Sequence, residues 1–533
     1  MENVRENLQI LDCTLRDGGY CNEWRFGESN IKKIINNLIN STVEIIECGF
    51  LTDRVVYDED VSKYTNLKQL EKILPQVSVK SKFVVMMNYG EYDVNILPEC
   101  KNSPIDGIRI AFHKKNIDGA IRCAETLAEK GYLVFIQPMV TLSYSDKEFI
   151  ELIEKVNTIN PYAFYVVDSF GTMKEKDVMH YWMLCEDFIN QSTIIGFHSH
   201  NNLQLSLSNS ISIIESSHNR QIIIDASVYG MGRGAGNLNT ELFLNELNAE
   251  YGGGYKIKPL LQAMDEIINR FYEQKPWGYS LPNYLSAIHM IHPSYSMYLC
   301  EKKTMTLDAL DDIFSMIDKD KAVEFDSEYI ERLYYEYMAK GQTNEQCIEM
   351  FKEKIYGRKV LLVASGRTTK VEKKHIAEFV LREKPVVISI NHEYKAVNTD
   401  FIFVSNMRRF RELPTTVLGK ALTTTNISAE QNYASFDYYS LVNPTNSTGD
   451  NAGLMAIQLL INLGCSEVYL AGYDGYEYSS KYNYENSSME LYISEDAVDE
   501  LNNGMKSMIE HYSNEIDIHF ITKSRFTKMG NKL

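Results

Sequence analysis

The 533-residue sequence lacks the features that mark several protein classes. Its apolar runs fall short of the roughly 18–20 residues that a membrane-spanning helix needs, so we expect no membrane span. The first residues, 1–7, have neither the basic nor the apolar region of a signal peptide. The nine cysteines form no Cys-x-x-Cys pair, and an odd number fits free thiols in a reducing compartment. These absences predict a cytoplasmic protein.

Basic residues are also scarce. Lysine and arginine total 54 against 72 aspartate and glutamate residues, which gives a formal net charge of -18. Such an acidic chain would be repelled by the phosphate backbone, so we expect no nucleic-acid partner. A content of 44% hydrophobic and 24% charged residues is ordinary for folded proteins, and the length allows more than one domain.

The sequence does contain eight short apolar runs, separated by stretches with helical periodicity such as 31–39, 117–130 and 146–157. Runs that are apolar on both faces are typical of parallel strands covered on both sides. Eight such units predict an α/β fold of the TIM (β/α)₈ barrel type. An open doubly wound sheet is the alternative, but no Gly-x-Gly-x-x-Gly follows the first strand. The runs span residues 8–13, 43–50, 83–87, 107–112, 133–140, 164–167, 194–197 and 222–228.

Polar residues lie in these strands or directly after them, where (β/α)₈ barrels build their active sites. The eighth strand leads into a glycine-rich loop, 230–237 (GMGRGAGN), whose backbone can approach a ligand closely. In strand order the polar residues are Arg16, Asp17, Glu47, Asn88, His113, Gln137, Asp168, Ser169, His198 and His200.

Two histidines at the end of the seventh predicted strand indicate a metal site. His198 and His200 project from the same side of a strand, because side chains alternate between its faces. With the Asp17 carboxylate they form an oxygen and nitrogen set suited to Mn²⁺, Mg²⁺, Co²⁺, Zn²⁺ or Fe²⁺. Three ligands leave room for a chelating 2-oxo acid, and Arg16 could neutralise charge on its oxygen. The alternative is a structural Arg16–Asp17 ion pair and two hydrogen-bonded barrel histidines.

Three motifs in this order resemble the DRE-TIM metallolyase superfamily: 12–18 (DCTLRDG), 198–202 (HSHNN) and the loop 230–237 followed by 238–241 (LNTE). The resemblance covers roughly residues 8–300. The superfamily includes acyl-CoA lyases, 2-oxo acid synthases and 4-hydroxy-2-oxovalerate aldolases, and the loop 230–237 is most similar to that of the aldolases. It implies that Asp17, His198 and His200 are metal ligands, with Asn237 a fourth ligand or near neighbour. Mn²⁺ or Mg²⁺ is the ion that it favours, and Arg16 becomes the residue that stabilises an enolate.

The sequence departs from this family at the catalytic base. Aldolases of the superfamily carry a histidine three residues after the metal-binding aspartate, and here that residue is Tyr20. A tyrosine with a pKa near 10 is a poorer base at neutral pH. Tyr20 in a perturbed state, His113, Glu47 and Tyr279 all stay open as the base, and a different acceptor is the remaining alternative. We expect Arg16, Tyr20 and Glu47 to be catalytic. We expect the substrate to be bound by Arg16, Gln137 and Ser169.

The remainder of the chain is predicted as two further parts after a barrel at 1–254. Residues 255–356 read as a helical extension, with helices at 260–272, 307–317 and 329–340. Residues 357–533 alternate strands (359–364, 385–390, 401–404, 467–471) with helices such as 452–463, which predicts a Rossmann-like α/β domain.

The last part also resembles, over about 110 residues, sialyltransferase-type Rossmann-like domains. This implies a nucleotide or nucleotide-sugar ligand, and by extension a role in surface-polysaccharide or sugar biosynthesis. The motif 446–449 (NSTG) before a helix could place amides around a phosphate, although an ordinary helix cap explains it equally well. The candidate nucleotide-binding residues are Gly366, Ser447, Thr448 and Gly449.

The leading functional hypothesis is a divalent-metal-dependent aldolase or lyase that makes or breaks a carbon–carbon bond through a pyruvate-type enolate, with a 2-oxo acid and an aldehyde as substrates. One alternative is Claisen-type transfer from an acyl-CoA to a 2-oxo acid. Another is a non-catalytic barrel that supports a nucleotide-sugar-binding domain. The resemblance also allows a homo-oligomer or an aldehyde-handling dehydrogenase partner, and the sequence specifies neither.

Overall fold

The computed structural model describes residues 6–217, 220–302, 305–445, 447–478, 483–485, 489 and 495–527. The chain forms two compact units. The first consists of Met1–Glu301 with Leu310–Asp326, and the second of Lys302–Ala309 with Ser327–Leu533. Residues of the predicted helical extension, 255–356, are therefore divided between them. Within the described ranges, no helix combines the length and apolarity needed to cross a bilayer.

The first unit is built around a closed barrel of eight parallel strands. The barrel closes because β1 pairs with both β2 and β9. A further strand of two residues, β3, lies beside β2 and is not one of the eight. Each predicted apolar run overlaps one barrel strand, so the predicted TIM barrel is confirmed. The strands are β1 (Leu8–Asp12), β2 (Ile45–Leu51), β3 (Lys63–Tyr64), β4 (Lys82–Asn88), β5 (Gly107–Phe112), β6 (Leu133–Pro138), β7 (Ala163–Asp168), β8 (Ile194–Ser199) and β9 (Ile222–Ala226).

Helices surround the barrel and bury one apolar face against it. In α2, for example, the buried residues Ile31, Ile34, Ile35 and Leu38 recur at helical spacing. Helix α4 begins after Ser145, whose side chain forms a capping box with Glu148 and so satisfies backbone amides at the start of the helix. The helices are α1 (Gly19–Asn22), α2 (Glu28–Asn40), α3 (Ile117–Glu129), α4 (Asp146–Ile159), α5 (Glu175–Phe188), α6 (Ser206–Ser216), α7 (Thr240–Glu250), α8 (Lys258–Ala263), α9 (Asn269–Gln274), α10 (Leu281–Ile288) and α11 (Ser294–Cys300).

Inside the barrel, apolar side chains fill one end and a band of charged residues lies above them. Leu11, Ile45 and Phe135 belong to the apolar cluster of the interior. Tyr165 also lies there, and it fits only because residue 196 is glycine: a Cβ at that position would overlap the tyrosine ring. The charged band and the strand ends beyond it hold the residues of the candidate metal centre.

The second unit contains a seven-stranded parallel sheet in the order β14-β13-β12-β11-β10-β15-β16. The order reverses between β10 and β15, so the carboxyl ends of these two strands diverge into a crevice. The four predicted strands are confirmed, and three more were not predicted: β13, β14 and β16. The strands are β10 (Val360–Val363), β11 (Val386–Ile390), β12 (Phe401–Val404), β13 (Ala421–Thr424), β14 (Ala434–Phe436), β15 (Glu467–Ala471) and β16 (Asp517–Phe520).

Helices pack on this sheet as in other α/β proteins. The most apolar is α18, which buries eight of its eleven residues, including Leu454, Ile457 and Leu460. One further helix, α12, contains residues assigned to each unit. The helices from here on are α12 (Leu307–Ser315), α13 (Ser327–Met338), α14 (Glu345–Ile355), α15 (Thr368–Val371), α16 (Lys373–Glu383), α17 (Met407–Arg411), α18 (Ala452–Asn462) and α19 (Glu495–Tyr512).

Candidate metal centre

The three residues predicted as metal ligands lie together at the carboxyl end of the barrel. Asp17 is in the turn after β1, His198 is in β8, and His200 follows that strand. One ligand atom from each lies within 4.8 Å of the others, and all three side chains are buried. The barrel therefore brings together residues that are some 180 positions apart in the sequence.

Asp17 is held as a carboxylate. Its Oδ1 accepts a hydrogen bond from Arg16 Nη1 at 2.6 Å, and its Oδ2 accepts one from Asn237 Nδ2 at 2.6 Å. Burial alone would raise the pKa of Asp17, but the Arg16 guanidinium and then the two histidines hold it well below its usual range. An ionised carboxylate is the form that binds a cation.

Both histidines present nitrogens that a metal ion could use. His198 Nδ1 lies 2.9 Å from Asp225 Oδ2, and a carboxylate can only accept, so Nδ1 carries a proton and Nε2 is the nitrogen of the neutral ring that could bind a metal ion. Arg109 and this hydrogen bond lower the pKa of Asp225, although burial opposes them. Burial lowers the pKa of His200 to about 3, which leaves its ring neutral at physiological pH.

Unpartnered buried atoms at this site fit a divalent cation. Among the described residues, neither His200 Nδ1 nor Asn237 Oδ1 has a hydrogen-bond partner, and both are potential ligand atoms. Buried polar atoms are rarely left without a partner unless a ligand supplies one. A carboxylate, two neutral imidazoles and an amide oxygen suit Mn²⁺, Mg²⁺, Co²⁺ or Zn²⁺ without selecting one of them. Asp17, His198, His200 and Asn237 would hold the ion.

A chain of buried ion pairs connects Arg16 to His198 through the barrel interior. Arg16 Nε donates to Glu47 Oε2 at 2.8 Å, and Arg109 Nη1 lies 2.9 Å from the same oxygen. Arg109 also pairs with Asp225, the residue that orients His198. The side chains of Glu47 and Arg109 are fully buried, so each charge is compensated only by its neighbours.

The predicted substrate-binding residues lie at neighbouring strand ends. Gln137 is buried on β6, and its Nε2 has no hydrogen-bond partner within the described ranges. Its amide is therefore free to donate to a bound molecule. The hydroxyl of Ser169 instead accepts a hydrogen bond from the Val140 amide at 2.8 Å, so it holds a loop in place.

The candidate bases differ in their surroundings. Desolvation raises the pKa of Tyr20, so this phenol stays protonated at neutral pH. Glu47 is committed to two arginines. His113 Nε2 lies 3.9 Å from Glu324, and burial lowers the pKa of the imidazole. Tyr279 is 57% exposed. Of these groups, Tyr20 is the one suited to donating a proton.

Four residues around this centre were not predicted: Arg109, Asp225, Arg233 and His292. A signal existed for the first two, because each is a charge inside an apolar strand: 107–112 reads GIRIAF and 222–226 reads IIIDA. Such a charge needs a partner inside the barrel. Arg233 lay in the predicted glycine-rich loop, where only the glycines and Asn237 were considered. His292, in the loop between α10 and α11, had no strand-end position to mark it.

The candidate nucleotide-binding residues separate in the structure. Gly366 lines a cavity of about 110 Å³ at the carboxyl ends of β10, β11 and β15. Ser447, Thr448 and Gly449 are not among its described lining residues; they form a turn in which Asn443 Nδ2 donates to the Thr448 carbonyl at 2.8 Å. Asn446, also in the predicted motif, lies outside the described residues.

Comparison with known proteins shows which family the first unit is similar to. Residues 7–265 match the family model described as HMGL-like. A 4-hydroxy-2-oxovalerate aldolase of Geobacillus genomosp. 3 is 27% identical over 282 residues, which cover 50% of this chain and 81% of that protein. One from Bacillus cereus is 26% identical over 269 residues, covering 50% and 76%.

Solved structures similar to this chain include an N-terminal domain from Bacteroides vulgatus that is described as a candidate aldolase. It is 29% identical, covers 56% of this chain and 98% of its own, and has a TM-score of 0.48. The HMG-CoA lyase of Brucella melitensis is 15% identical, covers 50% and 98%, and has a TM-score of 0.40.

Proposed function

We propose that this metal-dependent aldolase or lyase acts on a 2-oxo acid of the pyruvate type. Its barrel belongs to the DRE-TIM metallolyase superfamily. In this proposal the enzyme joins the enolate of that acid to an aldehyde, or cleaves the product. The observation that carries it is the buried group of Asp17, His198 and His200 next to a paired arginine. Mn²⁺ or Mg²⁺ is the proposed ion.

The residues of the site divide the chemistry between them. A bound divalent ion would supply a Lewis acid that stabilises negative charge on the oxygen of the 2-oxo acid. Arg16 is fixed by Asp17 and Glu47, and its Nη2 has no partner in the described part of the chain, so it can donate to the oxygen that gains charge. The free amide of Gln137 can orient the acid. Tyr20, protonated at neutral pH, can donate a proton to the aldehyde oxygen.

Deuterium exchange into the methyl group of pyruvate tests this function. We expect the native protein with Mn²⁺ or Mg²⁺ to catalyse exchange in the absence of any aldehyde. Asp17→Ala should lower both the bound metal and the exchange rate, the latter by roughly 100-fold or more, since it removes a ligand. Asp118→Ala, a change at an exposed aspartate of the same unit, is the matched control. If the Asp17 variant keeps its metal and its exchange rate, the proposal fails.

The same preparation discriminates two other functions. Claisen-type acyl transfer predicts release of free thiol from acetyl-CoA in the presence of a 2-oxo acid, measured with a thiol reagent. A non-catalytic barrel predicts tight metal binding without exchange in any 2-oxo acid. Either result in place of pyruvate exchange would replace the aldolase proposal.

For the second unit we infer a nucleotide or nucleotide-sugar ligand, which would connect the enzyme to sugar or surface-polysaccharide biosynthesis. Support comes from the cavity at the reversal of strand order, where open parallel sheets bind their ligands. Its polar lining includes Ser365, Asn391 and Asn451, and the Asn391 Oδ1 has no partner among the described residues. Asn451 caps α18, whose first amides face an anion favourably.

Thermal unfolding of the full chain with CMP-, UDP- and GDP-sugars tests this ligand. We expect one nucleotide to raise the melting temperature and Asn391→Ala to reduce that shift. Asn95→Ala, at an exposed asparagine of the first unit, should leave the shift unchanged. An unchanged melting temperature with every nucleotide would contradict the proposal.

A further inference from the structure

Arg233, in the glycine-rich loop after β9, is a half-buried cation that forms no ion pair with a carboxylate of the described residues. The buried arginines among the described residues of the first unit are all paired: Arg16 with Asp17 and Glu47, Arg109 with Glu47 and Asp225, and Arg220 with Glu186. Across the described residues, no carboxylate oxygen lies within 4.0 Å of the Arg233 guanidinium. Desolvating a charge without an opposite charge is costly, so an unpaired arginine at this depth indicates a missing anion.

The neighbours of Arg233 position it without neutralising it. Its Nη1 lies 3.0 Å from His292 Nε2, and its Nη2 donates to the Ser169 carbonyl at 3.2 Å. Burial, reinforced by Arg233 itself, lowers the pKa of His292 to about 2, so the imidazole is neutral and can accept from the guanidinium. The guanidinium of Arg233 lies over the Tyr20 ring, with 5.5 Å between its Cζ and the ring centroid. The buried Nε has no partner within the described ranges.

Arg233 also lies close to the metal centre. The preceding residue, Gly232, is so near that a Cβ there would lie 2.7 Å from Asp17 Oδ2. The charge of Arg233 contributes to the lowered pKa values of both Asp17 and His200. An anion bound to this guanidinium would therefore lie at the mouth of the site, beside the reacting groups.

The two arginines of the site are in different electrostatic states. Arg16 is adjacent to the metal ligands, and two carboxylates already balance its charge. Arg233 is on the outer side, against the partly exposed Tyr20, and its charge is unbalanced. In the proposed function a 2-oxo acid would be held at Asp17 and the histidines, beside the buried Arg16. The outer cation is left for the second substrate.

We propose that Arg233 binds an anionic group, a carboxylate or a phosphate, carried by the acceptor aldehyde. This inference rests on the proposed aldolase function and specifies the class of its second substrate. A guanidinium donates two parallel hydrogen bonds to either anion, and the contact gains strength where water is excluded. Arg233 is thus a specificity-determining residue, and His292 and Ser169 position it.

Paired aldehydes that differ in one anionic group test this inference. Condensation with pyruvate would be measured for glyceraldehyde against glyceraldehyde 3-phosphate, and for propanal against 4-oxobutanoate. In the native enzyme we expect kcat/KM to be at least tenfold higher for one of the charged members. Arg233→Gln should lower kcat/KM for that aldehyde by roughly 10- to 100-fold, as expected for losing a charge-assisted hydrogen bond, and change the neutral aldehydes less than twofold. The pair that responds distinguishes phosphate from carboxylate.

Three controls keep the outcome interpretable. Arg233→Lys retains a cation and should recover most of the preference, and Arg122→Gln changes an exposed arginine and should behave as the native enzyme. Pyruvate deuterium exchange without aldehyde should persist in Arg233→Gln, and this remaining exchange also shows that the variant is folded. Loss of that exchange would assign Arg233 to the 2-oxo acid and overturn the inference, as would equal losses for charged and neutral aldehydes. Absence of exchange in the native enzyme would instead overturn the proposed function, and this inference with it.

Discussion

Single residues in the barrel interior decide how the candidate metal ligands are oriented. Asp225 fixes the tautomer of His198 and is itself fixed by Arg109, so it acts on the metal through the histidine. Carboxylates in this role raise the basicity of the imidazole and lock the ring in one orientation.

Replacing this carboxylate by an amide should weaken metal binding without changing the shape of the site. We expect Asp225→Asn to lower the affinity for Mn²⁺ by about 10- to 100-fold, because the amide no longer selects the Nδ1–H tautomer of His198. Calorimetric titration of the metal-free protein measures this directly, with Asp118→Asn as the surface control. An affinity within twofold of the native value would show that Asp225 serves only the ion pairs.

Protonation of His292 should affect the stability of the metal-free protein in acid. The pKa of His292 is lowered from 6.5 to about 2, mainly by burial and then by Arg233. The unfolded chain therefore binds more protons than the native state between these values, and stability falls as the pH drops below 6.5 while staying constant above it. Because His292 is partly exposed, its contribution stays below the ~1.4 kcal/mol per pH unit of a whole proton.

Urea unfolding at pH 7.5, 6.5, 5.5 and 4.5 measures this contribution. We expect His292→Gln, whose amide oxygen can still accept from Arg233, to lose stability less steeply than the native protein below pH 6.5. His375→Gln, at an exposed histidine of the second unit, is the comparison. Parallel stability curves for the native protein and the His292 variant would rule out the effect.

The sequence was sufficient to bring the candidate metal ligands together but not to find the residues behind them. Asp17, His198 and His200 could be placed together because every strand of a (β/α)₈ barrel ends at the same face. Arg109 and Asp225 are separated by 116 residues and point into the barrel below that face. Which charges meet there depends on strand stagger, which residue types do not reveal. Arg233 and His292 depend on loop conformations, and these are still less constrained by pattern.

Among the strands, those with continuous apolar runs could be predicted, whereas β13, β14 and β16 could not. Barrel strands are covered on both faces, so their sequences are continuously apolar. β16 (DIHF) is at the sheet edge and only partly buried, and β13 (ALTT) is half threonine. Such strands are defined by pairing with a neighbour rather than by their own composition.

One strand shows how the packing of an element supports the site. Gly196 lies two residues before His198, and the Tyr165 ring of the adjacent strand occupies the space of its missing side chain. We expect Gly196→Ala to lower the free energy of unfolding by about 1–3 kcal/mol through overpacking. Chemical denaturation followed by tryptophan fluorescence measures the change.

Two further variants test the cause of this loss. Gly419→Ala, at a glycine of the second unit with open space around the position of a Cβ, should leave this tryptophan signal unchanged. Combining Gly196→Ala with Tyr165→Leu should recover part of the stability, because the smaller side chain leaves room for the methyl group. If the double variant is as unstable as the sum of the two single ones, the ring is not the cause.

At the scale of the whole molecule, all three tryptophans belong to the first unit: Trp24, Trp182 and Trp277. Trp24 donates to the Arg16 carbonyl at 2.6 Å and contacts the Tyr20 ring, so one of them lies beside the candidate metal centre. Tryptophan emission therefore follows the unfolding of the barrel, even though the chain contains a second unit.

Metal ions should stabilise the unit that this signal reports. With Mn²⁺ at a hundredfold excess over its dissociation constant, binding to the native state alone adds about 2.7 kcal/mol. We expect the tryptophan-monitored transition to move upward with metal and downward with a chelator, and Asp17→Ala to abolish the difference. An equal metal-dependent shift in the Asp17 variant would mean that the ion binds elsewhere.

The ion pairs of the barrel interior have a consequence for how the protein is made. Glu47, Arg109 and Asp225 lie on β2, β5 and β9, so the last of these charges emerges from the ribosome some 180 residues after the first. Until β9 arrives, β1 has an open edge and Arg109 lacks one of its two carboxylates. Burying such a charge early is unfavourable, and exposed strand edges invite association with other chains. We therefore expect the barrel to form late and in one concerted step, and nascent chains that end before β9 to depend on chaperones.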